Sequence, residues 1–89
     1  MFRVEWLRPA QEALARQWIN ADSELRKSIT VACHKVDQQL QADPWDQSES
    51  RFGNTRVLLQ FPLCVYFDVH DDAKTVVVLK VRVYRKRKK

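Results

Sequence analysis

Apolar and polar residues alternate at the start of the chain: Phe2, Val4 and Trp6 are separated by Arg3 and Glu5. That period of two predicts a short, half-buried strand ending before Pro9. The period then lengthens. Ala10, Leu14, Trp18 and Ala21 recur at helical intervals, so a helix is expected from Pro9, a residue suited to a first helical turn, to about Asn20. Asp22 and Ser23 are N-cap residues, and Glu24 sets a negative charge at the positive end of the helix dipole. Leu25, Ile29, Ala32, Cys33, Val36 and Leu40 then keep helical spacing. This second helix should stop near Ala42, because the residue before Pro44 avoids the helical region and proline cannot continue the hydrogen-bond ladder. So short a link between the helices implies an antiparallel hairpin.

Residues 44–54 are mostly polar, contain the only glycine, Gly53, and hold Trp45 and Phe52 as isolated apolar side chains; an ordered loop is expected there. Residues 55–61, 63–70 and 75–84 read as three strands, linked at Pro62 and at residues 71–74 into an antiparallel meander. Unbroken alternation assigns Val57, Leu59 and Phe61, then Leu63, Val65, Phe67 and Val69, then Val77, Leu79, Val81 and Val83 to a core face. The opposite face receives Arg56, Leu58 and Gln60, then Cys64, Tyr66, Asp68 and His70, then Val76, Val78, Lys80, Arg82 and Tyr84. The expected fold is α+β, with order β-α-α-β-β-β. Its helical hairpin packs on one face of a small antiparallel sheet and leaves the other face open. At 89 residues the chain has room for one domain, residues 1–84, followed by a basic tail, residues 85–89.

Charge sharpens this picture. The formal net charge is +5, yet the last ten residues hold seven of the 16 Lys and Arg. The remainder carries nine basic against 11 acidic side chains. Basicity is therefore local. Lys80, Arg82 and Tyr84 share the open face, and Arg85, Lys86, Arg87, Lys88 and Lys89 follow, a set that suits a polyanion such as RNA. A solvated strand followed by a non-specific electrostatic arm is the alternative. No apolar run approaches the roughly 20 residues that span a bilayer, and residues 1–8 lack a signal-peptide stretch, so a cytoplasmic protein with no membrane partner is expected. Cys33 and Cys64 stand apart without metal-ligand spacing, which predicts free thiols and no metal site. Nothing in the residues calls for a cofactor or a small-molecule substrate.

The predicted order of elements coincides with particular residues: Val4-Glu5-Trp6-Leu7 before a helix, Asp43-Pro44, Glu49-Ser50-Arg51, Arg56-Val57-Leu58 and Pro62-Leu63. Val65-Tyr66-Phe67-Asp68-Val69 and Val76-Val77-Val78-Leu79-Lys80-Val81 complete the set. In these the chain resembles, over nearly its whole length, the RelE/ParE family of toxins from bacterial type II toxin–antitoxin systems. The resemblance implies a toxin held by a cognate antitoxin, with the antitoxin's helix and strand laid over the toxin's sheet. RelE-like members cleave mRNA in the ribosome, whereas ParE-like members inhibit DNA gyrase without ribonuclease chemistry. For the first activity the resemblance points to Arg82 as a phosphate-stabilising residue, to Tyr84 near a C-terminal catalytic tyrosine, and to Arg56 as the basic residue of its strand. His70 is a further acid–base candidate, because histidine changes charge near neutral pH. Departures keep the alternatives open. Cys64 and Tyr66 stand where RelE-like toxins place an arginine, a lysine pair is missing from the strand of Arg56, and no C-terminal helix follows. A ribosome-dependent mRNA endonuclease inhibiting translation, a gyrase inhibitor, and an inactive relic or RNA-binding domain of the same fold are the three readings.

Overall fold

A computed structural model describes residues 1–85. Its elements are β1 (Arg3–Trp6), α1 (Arg8–Ile19), α2 (Ser23–Ala42), β2 (Ser48–Phe52), β3 (Thr55–Gln60), β4 (Leu63–His70) and β5 (Thr75–Val83). The strands form a five-stranded sheet in the order β1-β5-β4-β3-β2. β1 joins β5 in parallel and the other pairs are antiparallel, so the sheet is mixed, with one parallel strand at its edge. The α+β architecture and the helical hairpin on one face follow the expectation. No described helix is long and apolar enough to cross a membrane.

The helices form where their caps and stripes put them. The Asp22 carboxylate accepts from the Leu25 amide at 2.8 Å and caps α2. Arg26 then finishes α1: its guanidinium lies 4.5 Å from the centre of the Trp18 ring and donates to the Trp18 and Ile19 carbonyls at 2.9 and 2.8 Å. The Trp18 carbonyl also accepts from the Ala21 amide at 3.2 Å, so Arg26 reinforces one end-of-helix acceptor and supplies a donor to Ile19, and one side chain of α2 fixes the hairpin's tight corner. Ile29, Ala32, Val36 and Leu40 of α2 face the sheet and pack with Leu58, Leu63, Val65, Phe67, Val76, Val78 and Val81. Trp6 closes one side, donating its indole N–H to Asp37 at 3.0 Å.

Two expectations are corrected. The segment expected to be a loop contains β2, an edge strand hairpinned to β3 through Gly53-Asn54, with Phe52 facing Thr55. Gly53 adopts φ 57°, the left-handed region that a Cβ disfavours. No atom lies within 4 Å of a Cβ placed there, so Gly53→Ala meets backbone strain alone. The expected cost is about 1 kcal/mol in denaturant unfolding, and an unchanged midpoint would contradict this account of the turn.

The second correction is the parity of the sheet. Leu58 is buried in the core, whereas Leu59 and Phe61 are 64% and 60% exposed. In β5, Val76 and Val78 are fully buried beside the helices, in place of the expected Val77 and Leu79. The cause is the hairpins. Gln60 pairs with Leu63 across a two-residue turn and His70 with Thr75 across four residues, and directly paired residues share a face. An even-numbered link therefore reverses the odd–even assignment from one strand to the next. A bulge at Leu79 reverses it again: Phe67 pairs with Val78 but Tyr66 with Lys80, which returns Val81 and Val83 to the core side. Lys80 and Arg82 consequently face away from the helices as expected, although by a different route.

Candidate nucleic-acid interface on the open sheet face

Cross-strand pairing lays out the open face in rows. Val57, Tyr66 and Lys80 form one, and Leu59, Cys64 and Arg82 the next. Lys80 Nζ stands 5.9 Å from the centre of the Tyr66 ring, and the Arg82 guanidinium 6.0 Å from that of Tyr84. Both cations are exposed, and neither belongs to an ion pair among the described residues. Tyr84 is 41% exposed, and its backbone amide donates to the Pro62 carbonyl at 2.8 Å, which ties the end of β5 to the β3–β4 turn. Two cations and a phenol thus stand together on a framework fixed by backbone hydrogen bonds.

Beside Tyr84 lies a pocket of about 370 Å³. Val57 and Cys64, both buried, contribute to its lining together with Leu59 and Phe61; Glu49 and Arg51 enter from β2. In the sequence these two residues stand only within the family resemblance and not among the expected site residues, because an ordered loop is expected over their segment. The signal was present: Gln47, Glu49 and Arg51 alternate with serines ahead of Gly53-Asn54, a dipeptide that favours tight hairpins. A second irregularity, between Ser50 and Phe52, falls at Arg51. The pocket therefore gathers a carboxylate, a guanidinium and a phenol over an apolar lining.

Other expected site residues lie elsewhere. Arg56 pairs with core residue Phe67 and so points to the helix side, the reverse of its expected placement. It is half-buried and holds β2, donating from Nε to Ser48 Oγ and from Nη2 to the Ser48 carbonyl, each at 2.8 Å. That is a structural clamp, separated from Arg82 and Tyr84 by the sheet itself. His70 lies six residues beyond Cys64 along β4, roughly 20 Å from the row of Arg82 at the rise of an extended strand. Arg85 turns toward α1 and donates to Gln17 Oε1 at 3.3 Å. Lys86, Arg87, Lys88 and Lys89 lie outside the described residues. The structure thus sets Lys80, Arg82 and Tyr84 on one face, joins Tyr84 to Glu49 and Arg51 in one pocket, and leaves Arg56 and His70 apart.

On the opposite side of the molecule, a cleft of about 1030 Å³ opens along α1 and α2, with Leu14, Trp18, Ile19, Val31 and Cys33 in its lining. Burial, aided by the neighbouring Asp37 carboxylate, pushes the Cys33 thiol up from its ordinary value. Cys33 and Cys64 are both free thiols.

An α+β domain with a helical hairpin on one face of a mixed sheet, and a basic, aromatic edge on the other, has clear structural counterparts. No protein-family model and no curated protein matches the sequence. Among solved structures, a chain of the RelBE2 toxin–antitoxin complex from Mycobacterium tuberculosis superposes with a TM-score of 0.75 at 14% identity, covering 92% of this chain and 90% of that one. The isolated RelE toxin of Escherichia coli gives 0.61 at 14% identity over 98% and 88% of the two chains. A chain of the intact E. coli RelBE complex gives 0.60 at 15% over 98% and 100%. At such identities the likeness establishes architecture: the chain has the RelE fold.

Proposed function

We propose that this chain is the toxin of a toxin–antitoxin pair and acts as a ribosome-dependent mRNA endonuclease. The observation that supports this most is Tyr84, which lines one pocket with Glu49 and Arg51 and has the Arg82 guanidinium 6.0 Å from its ring centre on the same open face. Cleavage by the RNA's own 2′-OH requires a base for its proton, cations for the charge gathered on phosphorus, and an acid for the leaving oxygen. On this reading Glu49 takes the 2′-OH proton as the 2′-oxygen attacks phosphorus. Arg82, beside Tyr84, and Arg51, from the pocket's β2 side, hold the phosphoryl oxygens. The P–O5′ bond breaks as Tyr84 gives its phenolic proton to O5′, leaving a 2′,3′-cyclic phosphate and a 5′-hydroxyl. Arg56 and His70 take no part. The ribosome and its mRNA are the targets, and a cognate antitoxin, the partner named in two of the structural counterparts, restrains the protein by covering the same face.

A second reading is a protein-binding toxin that inhibits DNA gyrase through the helical hairpin. The observation that favours it is the apolar cleft along α1 and α2, where Ile19 and Val31 are 64% and 54% exposed. One experiment separates the two: induce the chain alone in cells and follow protein synthesis and DNA replication independently. The endonuclease reading expects translation to stop first while purified protein leaves gyrase supercoiling intact. Arrested replication, with supercoiling blocked at saturating protein and mRNA intact, would move the assignment to the gyrase reading.

A further inference from the structure

We propose that the strand held at the open face runs on past Phe61 to α2, where Lys27 and Lys35 take its phosphates, so that the protein grips single-stranded RNA around its edge. This rests on the endonuclease reading only for the identity of the polyanion. Phe61 borders two concavities. One is the pocket beside Tyr84; the other, of about 280 Å³, lies between α2 and the β3–β4 turn, with Lys27, Val31, Lys35 and Gln60 among its lining residues. The exposed ring is thus the ridge that joins them. Lys27, Val31 and Lys35 fall at i, i+4 and i+8, which sets the two lysines on one face of α2 with their Cα atoms about 12 Å apart along its axis. Neither lysine belongs to an ion pair among the described residues, and no carboxylate lines this groove.

Charge and continuity select the occupant. Two cations, unpaired among the described residues, beyond an uncovered aromatic ring that borders the Tyr84 pocket reproduce the pairing of phosphate contacts with a base-stacking platform that single-stranded nucleic acid recognition uses. An acidic protein segment would satisfy the lysines equally, but it would gain less from an isolated aromatic ridge than a stacked base does.

The test is binding of a labelled single-stranded RNA to the full chain over a range of salt concentrations. Lys27→Gln/Lys35→Gln is compared with wild type, with Phe61→Ala, and with Arg3→Gln/Lys74→Gln, which makes the same charge change elsewhere. Loss of two phosphate contacts should reduce the slope of log affinity against log salt by about 1.4, while the remote pair leaves it unchanged. Phe61→Ala should weaken binding by roughly 5- to 150-fold, the equivalent of one lost stacked base. A slope for Lys27→Gln/Lys35→Gln equal to that of the remote pair, or a wild-type chain without affinity for single-stranded RNA, overturns the track. The first outcome would leave the groove to an acidic protein segment. Cleavage is scored separately on translating ribosomes. Intact cutting with an unchanged slope removes only the track, and absent cutting with the predicted slope removes only the endonuclease.

Discussion

Tyr84→Phe is expected to lower ribosome-dependent mRNA cleavage by about 10²–10⁴-fold, the usual worth of a positioned proton donor, while binding to ribosomes changes little. The substitution removes one hydroxyl from a ring that is 41% exposed and whose backbone, not its side chain, holds the strand end to Pro62. The fold should therefore survive, and circular dichroism and the unfolding midpoint should match wild type. Arg82→Ala is expected to act through charge, with about 10²–10³-fold loss from removing a donor to the developing phosphoryl charge. If Tyr84→Phe cuts at the wild-type rate, the phenol is not the acid and the chemistry assigned to the pocket is wrong.

Phe67→Ala is expected to destabilise the domain by about 3–5 kcal/mol, because a fully buried aromatic ring is replaced by a cavity that the surrounding side chains fill only in part. Against a total stability of about 5–15 kcal/mol for a domain of this kind, that loss brings the variant close to unfolding. Phe61→Ala provides the contrast. The same truncation six positions earlier, on a side chain that is 60% exposed, should change stability by only about 0.5 kcal/mol. Denaturant titrations of both variants therefore test the register of the sheet. Equal losses would mean that Phe61, in the turn that follows β3, is buried with the core after all.

Much of this architecture was legible in the amino-acid order. Both helices, the Asp22 cap, the stop at Asp43-Pro44 and four of the five strands follow from periods and breakers that act locally. The faces of the strands were less legible, for a physical reason. Val57-Leu58-Leu59 and Val76-Val77-Val78-Leu79 are apolar at consecutive positions, so hydrophobicity alone does not choose a side. What chooses is the length of the hairpin links together with the bulge at Leu79, and the links could have been counted in advance. Even-numbered turns at residues 61–62 and 71–74 reverse the parity. The bulge leaves no comparable mark in Thr75–Val83.

The site was partly legible for the same reason. Lys80, Arg82 and Tyr84 come after the bulge, and their alternation is intact. Arg56 comes before it, on a strand whose parity was reversed, and the structure places it on the helix side as a clamp on Ser48. Glu49 and Arg51 stand out only as part of the family resemblance and not as site residues, because β2 is a polar edge strand whose residues carry no apolar alternation to announce it. Only the hairpin dipeptide Gly53-Asn54 marked its end. An edge strand that supplies charged groups to a neighbouring pocket is therefore better sought through turn chemistry than through hydrophobic pattern.

The most direct measurement adds the purified chain to ribosomes translating one defined mRNA and maps the new RNA ends. The account predicts cuts within the translated region that need the ribosome and carry 5′-hydroxyl ends, and that fade when Arg82 or Tyr84 is replaced. Intact mRNA at saturating wild-type protein, or cutting that both replacements leave unaltered, would contradict it.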